Sequence, residues 1–153
     1  MIRAVLDCNV VITAALSEGK CAELLSRARQ RDGFELVWSP PIIAECLRVI
    51  EYPKFAGKFR TDPRLLLERS MASAHMVATD LLPAIDAVKA DPSDNVYLAT
   101  ALAGGARWVV TGNTRHLTPL DGYAGLRVVE PAAFLAELDA QRSGDAGRRL
   151  GGG

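Results

Sequence analysis

The chain has 153 residues, 49% apolar and 24% charged, which fits one globular domain with a real core and argues against disorder along most of its length. Lysine plus arginine and aspartate plus glutamate number 18 each, so there is no whole-protein attraction to nucleic acid or anionic lipid; an RNA-binding surface would need locally concentrated charge. The three cysteines, Cys8, Cys21 and Cys46, have neither disulfide-framework nor zinc spacing. With no membrane-length apolar run and too short an apolar stretch at the amino terminus for a signal peptide, they suggest a soluble cytoplasmic protein.

Ile2 to Leu6 reads as a buried parallel strand that stops at Asp7. Asn9 is positioned to cap a first helix. Cys21 to Arg31 has helical periodicity and is stopped by Gly33. Phe34 to Trp38 is a second strand. Ser39-Pro40-Pro41 is a helix start, serine as cap and proline at the first turn, and the helix carries Ile42, Ile43, Glu45, Cys46 and Ile50 before Pro53. Asp62-Pro63 starts another, with Leu65, Leu66, Leu67 and Met71 as its apolar side. His75 to Ala78 is a short strand, and Thr79 to Lys89 a loop. Asp91-Pro92-Ser93-Asp94 begins a helix that Gly104-Gly105 ends. Arg107 to Val110 and Leu126 to Val129 are the last strands, and Pro131 to Leu138 the last helix. Composition makes 141–153 a flexible tail after a single domain spanning 1–140.

Strands alternating with helices predict an α/β fold: about five strands in a mostly parallel sheet, with helices on both faces. Ligands in such sheets bind beyond the carboxyl ends of the strands, and polar residues gather there. Asp7 closes an apolar strand, where a carboxylate needs a reason to be buried: a ligand role, or a helix cap. Glu45 borders an apolar helix face, as solvated glutamates often do. Asp91 and Asp94 suit a helix start electrostatically in any protein, with Asp91 the better cap and Asp94 the better candidate to point into a site. Thr111-Gly112-Asn113 is a turn, or a set of hydrogen-bond donors to phosphate, water or a carboxylate. Taken together, acids delivered by distant segments repel one another if crowded, and a divalent cation with a preference for oxygen would neutralise them. Cys8 and Cys46 read as small packed residues.

Four segments, Leu6-Asp7-Cys8-Asn9-Val10, Ser39-Pro40-Pro41-Ile42-Ile43-Ala44-Glu45, Asp91-Pro92-Ser93-Asp94-Asn95-Val96-Tyr97-Leu98-Ala99 and Val109-Val110-Thr111-Gly112-Asn113, resemble a PIN domain in order and spacing over roughly residues 1–138. The likeness is nearest to VapC-like toxins of type II toxin–antitoxin pairs. It implies Mg²⁺- or Mn²⁺-dependent RNA cleavage by a metal-activated water, with Asp7, Glu45 and Asp94 holding the metal. It also implies a homodimer and a cognate antitoxin partner. Asn9, Asp91, Asn95, Thr111 and Asn113 are candidates to orient the site or the phosphate. The family often carries a fourth acid where this chain has Asn113, which favours one metal over two. Residues 46–70 are the most basic stretch, with Lys54, Lys58 and Arg60 as RNA-binding candidates, joined by Arg115; the interleaved Tyr52, Phe55 and Phe59 suit a dimer contact. Two alternatives are an inactive PIN-like module that binds RNA or protein, and an aspartyl-nucleophile phosphatase, which the asparagine at position 9 argues against.

Overall fold

In the computed structural model, which describes the backbone of residues 1–151 and the side chains of 1–144, five strands form one parallel sheet in the order β3-β2-β1-β4-β5. They are β1 (Ile2–Leu6), β2 (Phe34–Trp38), β3 (His75–Met76), β4 (Trp108–Val110) and β5 (Arg127–Val129). The helices are α1 (Cys8–Leu16), α2 (Lys20–Gln30), α3 (Pro40–Ile50), α4 (Pro63–Ser73), α5 (Asn95–Ala103) and α6 (Pro131–Gly151). The central strands are apolar because both faces are covered: Ala4, Val5, Leu6, Leu36, Val37, Val109 and Val110 are all fully buried. Right-handed crossovers put α1 to α4 on one face and α5 on the other.

Several local expectations change on inspection. α2 ends on Arg31, which takes the left-handed conformation (φ 51°) ahead of Gly33, so the stop comes earlier than the glycine. Ser39 precedes α3, but its hydroxyl makes no cap; it hydrogen-bonds the Thr100 hydroxyl at 2.7 Å, tying the end of β2 to α5. In α4 the buried positions are Pro63, Leu67 and Ser70, while Leu65 is exposed. The helix expected from Asp91 is two pieces, a 3₁₀ turn over Pro92–Asp94 and then α5. α6 continues well past Leu138. Of the expected tail, 141–153, the backbone to residue 151 belongs to α6; residues 152–153 and the side chains from 145 lie outside the described residues. Among the described residues, no helix is long and apolar enough to cross a membrane.

Chain order reverses direction between β1 and β4: β2 and β3 lie to one side of β1, β4 and β5 to the other. That switch opens a crevice at the carboxyl edge, where flanking connections leave on opposite faces. Asp7 and Thr111 are the first residues beyond the two strands that border it.

Candidate active site

Asp7 follows Leu6 and continues the ladder for one more bond, its amide donating to the Val110 carbonyl at 3.0 Å. This fixes the carboxylate at the mouth of the crevice, where it is 3% exposed. Its two oxygens are held separately. Oδ1 accepts from the Asn9 amide at 3.1 Å and so caps α1, and Oδ2 accepts from the Thr111 hydroxyl at 2.6 Å. The capping and site explanations for Asp7 are therefore compatible. Thr111 is fully buried and its hydroxyl oxygen also accepts from the Asn113 amide at 2.9 Å.

Asp94 enters from the opposite face, at the junction of the 3₁₀ turn and α5, and is 7% exposed. Its Oδ2 accepts from Asn113 Nδ2 at 3.1 Å, while Asn113 Oδ1 accepts from the His116 amide at 3.0 Å. Asn113 thus turns its donor end, not its oxygen, toward Asp94. A chain of hydrogen bonds runs from Asp7 through Thr111 and Asn113 to Asp94.

Glu45 arrives from α3, half-buried, and its Oε2 accepts from the Tyr97 hydroxyl at 2.8 Å. Tyr97 is fully buried on α5, one helical turn after Asp94, and its hydroxyl lies 3.5 Å from the Cys8 amide. Burial, then the nearby charge of Asp7, raises its phenol far above the usual range, so it stays a neutral donor. Tyr97 was missed as a site residue by sequence reasoning; the signal was its spacing, since residues three apart on a helix share a face.

Asp94 feels the charges of the other acids. The Asp94 carboxyl is pushed up to about 6, first by burial and then by repulsion from Asp91, Asp7 and Glu45, with the Asn113 amide acting in the opposite direction. An all-oxygen, acidic donor set in which Asp7 and Glu45 add to the raised proton affinity of Asp94 fits a hard divalent cation. The fit is one of donor chemistry: among the described residues, no three His, Cys, Asp or Glu side chains are gathered closely enough to hold an ion as they stand.

The raised Asp94 carboxyl has a testable sign. Without a cation, the folded chain keeps a proton that the unfolded chain releases between the ordinary value of 3.8 and about 6, so this group's contribution to stability falls as pH rises through that window. A divalent cation competes with that proton. The upward shift of melting temperature produced by Mg²⁺ is therefore expected to be larger at roughly pH 7.5 than at roughly pH 5, and to vanish at both in Asp94→Asn. An equal shift at the two pH values would contradict the arrangement.

The other expected residues have plainer occupations. Asn9 contributes its amide to Asp7 while its side chain is exposed. Asp91 accepts from the Ser93 amide and hydroxyl as the cap of the 3₁₀ turn. Asn95 accepts from the amides of Ala87 and Val88 and donates to the carbonyls of Val88 and Pro92, clamping the preceding loop rather than touching a carboxylate. Arg115 is exposed two residues beyond Asn113. Lys54 and Lys58 are exposed beyond α3, Lys54 lying 5.1 Å over the Phe55 ring. Arg60 donates to the Ala14 carbonyl at 3.0 Å, at the far end of α1 from Asp7. Tyr52, Phe55 and Phe59 line an open pocket of about 290 Å³ beside α3. Cys8 and Cys46 are buried neighbours; their mutual hydrogen bond and burial raise the Cys8 thiol far above its usual range, leaving it unreactive.

An all-parallel five-stranded sheet with buried Asp7 and Asp94 near its switch point defines an α/β domain. The PIN-domain family model matches residues 3–115, and the chain belongs to that family. Two solved structures are similar to it. One is PAE2754 from Pyrobaculum aerophilum, 16% identical, with a TM-score of 0.58, covering 91% of this chain and 90% of that one. The other is VapBC2 from Rickettsia felis bound to a DNA fragment from their promoter, 13% identical, with a TM-score of 0.49, covering 84% of this chain and 98% of that one. No curated protein matches the sequence.

Proposed function

We propose that this PIN-domain nuclease is a divalent-metal-dependent endoribonuclease and the toxin of a toxin–antitoxin pair, working in the cytoplasm as a homodimer. The observation that supports the nuclease reading is the run of hydrogen bonds from Asp7 through Thr111 and Asn113 to Asp94 at the switch crevice, with Asp7 and Glu45 adding their repulsion to burial and Asp91 in raising the Asp94 carboxyl to about 6. The toxin, antitoxin and dimer assignments rest on the resemblance of the four motifs to VapC-like toxins.

Asp7, Glu45 and Asp94 would hold Mg²⁺ or Mn²⁺, which when bound lowers the pKa of a water and offsets charge building on the phosphodiester. The chain's own part is orientation. Thr111 holds one oxygen of Asp7, Asn113 one oxygen of Asp94, and Tyr97 one oxygen of Glu45. Glu45 and Asp94 are thereby each held through one oxygen by a neutral donor, and Asp7 through both, its second oxygen taking the Asn9 amide. Asn113 adds no negative charge where a fourth acid would stand, which supports a single ion.

Tyr97→Phe tests this orientation. Loss of the hydroxyl is expected to cost about 1 kcal/mol of stability and to raise the Mg²⁺ concentration for half-maximal cleavage about tenfold. An unchanged Mg²⁺ requirement would mean that Glu45 is not held through Tyr97 for this purpose.

The reaction itself is tested by incubating the protein with structured and single-stranded RNA in Mg²⁺ or Mn²⁺, with and without EDTA. Cleavage that chelation stops is the expected result. A second reading, an inactive module that binds RNA or protein, is favoured by the open spacing of the acids. It predicts binding indifferent to EDTA and no cleavage under any condition.

A further inference from the structure

We propose that the cleft between α1, α2 and α4 binds a phosphate group through the guanidinium groups of Arg29, Arg60 and Arg69. The cleft has a volume of about 170 Å³. Those three side chains come from α2, the segment before α4, and α4 itself, and they line it together with Thr61, Ala14 and Leu66. Among the described residues, no carboxylate lines it.

The arginines are not consumed by one another's usual partners. Among the described residues, the Arg29 and Arg69 side chains make no ion pair, whereas Arg27 and Arg31, their neighbours on and just after α2, are both paired with acids. Arg60 is fixed by its bond to the Ala14 carbonyl and faces Glu18 at 3.6 Å, but that glutamate is 84% exposed and offsets little in water. Three cations from three segments around one void repel each other, and an anion relieves the repulsion. Guanidinium forks match the oxygens of a phosphate in a planar, bidentate way, and the Thr61 hydroxyl supplies a further neutral donor.

The observations favour the phosphodiester of an RNA strand as the source, a choice that rests on the nuclease reading above. Asp7 caps the first turn of α1 and Ala14 lies near its last, so the cleft is roughly 10 Å along the helix from the carboxylates. A strand cleaved at the crevice passes within reach. The cleft also gives a chain of zero net charge a local concentration of positive charge of the kind that RNA binding needs.

The test is fluorescence anisotropy with a labelled single-stranded RNA and the full chain, with EDTA present to keep the strand intact, over a range of salt. The Arg29→Gln/Arg69→Gln double variant is expected to bind about tenfold more weakly near physiological salt, and its slope of log affinity against log salt to shrink by about 1.4, the share of two phosphate contacts on a single strand. Arg69→Lys alone, at an exposed site, should recover most of the affinity lost in Arg69→Gln while keeping its slope near wild type. A second arm measures the melting temperature with inorganic phosphate. If phosphate stabilises wild type but not the double variant while RNA affinity is equal in both, the cleft holds a free phosphoryl group and the RNA assignment is overturned. If wild type binds and cleaves RNA and the folded double variant matches it in both arms, the cleft proposal fails and the nuclease reading stands. If wild type neither binds nor cleaves RNA, the nuclease reading fails on its own evidence, and the phosphate arm alone decides the cleft.

Discussion

Asp7→Asn is expected to lower RNA cleavage about a thousand-fold, roughly 4 kcal/mol at the transition state, while leaving the fold intact. The substitution is close to isosteric. Asparagine caps helices as well as aspartate does, so the bond from the Asn9 amide that starts α1 survives. The Thr111 hydroxyl, which now donates to Oδ2, can rotate to accept from an amide. What the change removes is the charge, and with it a ligand for the cation. Circular dichroism and melting temperature check the fold; a cleavage assay in Mg²⁺ checks the chemistry. A folded variant that still cleaves would place the reaction elsewhere. A variant that does not fold would make Asp7 a structural residue and transfer the test to Asp94→Asn.

The second large effect is expected from Gly104→Ala, at the opposite end of α5 from Asp94. Gly104 ends α5 where the helix lies against β2 and the residue after β3. A Cβ there would stand 2.4 Å from Val37 Cγ1, 2.9 Å from Val77 Cγ2 and 3.1 Å from the Thr100 carbonyl oxygen. Both valines are buried, and a β-branched side chain has no alternative rotamer to retreat into. Relief requires the helix to move, at a cost of about 2–3 kcal/mol, or a melting temperature lower by roughly 5–10 °C. Because α5 also carries Tyr97 and follows directly from Asp94, cleavage should fall with stability. Gly144→Ala, in α6 with nothing within 4 Å of its Cβ, is the control and should be neutral or slightly stabilising. A Gly104→Ala protein as stable as wild type would mean that the packing of α5 on the sheet is looser than these contacts imply.

Much of this site can be read directly in the sequence, for identifiable reasons. Asp7 stands out because a carboxylate directly after Ala4-Val5-Leu6 is conspicuous, and β1 and β2 follow from short, mostly apolar runs bounded by turn residues. The starts of α3 and α4 follow from Ser-Pro and Asp-Pro pairs. Only at Asp62 does the side chain cap the helix; the Ser39 hydroxyl goes to Thr100, a partner 61 positions away that local chemistry has no means of indicating. The same limit hides Tyr97. An aromatic residue on an apolar helix reads as core, and fully buried it is, yet its hydroxyl reaches Glu45 across 52 positions. Asn95 fails in the opposite direction. Adjacency to Asp94 suggests a site role, but neighbouring residues on a helix point about 100° apart, and this one points into the loop at 87–92. The arginine cleft is invisible in sequence because positions 29, 60 and 69 meet only once α2 and α4 pack together.

The central claim is that Asp7, Glu45 and Asp94 share one divalent cation. Titration calorimetry of Mn²⁺ into the wild-type chain and into Asp94→Asn, in one buffer near neutral pH, reads it without depending on any RNA. The account predicts a single binding event in the wild type that is absent from the folded variant. Equal binding to both proteins, or none to the wild type, would contradict it.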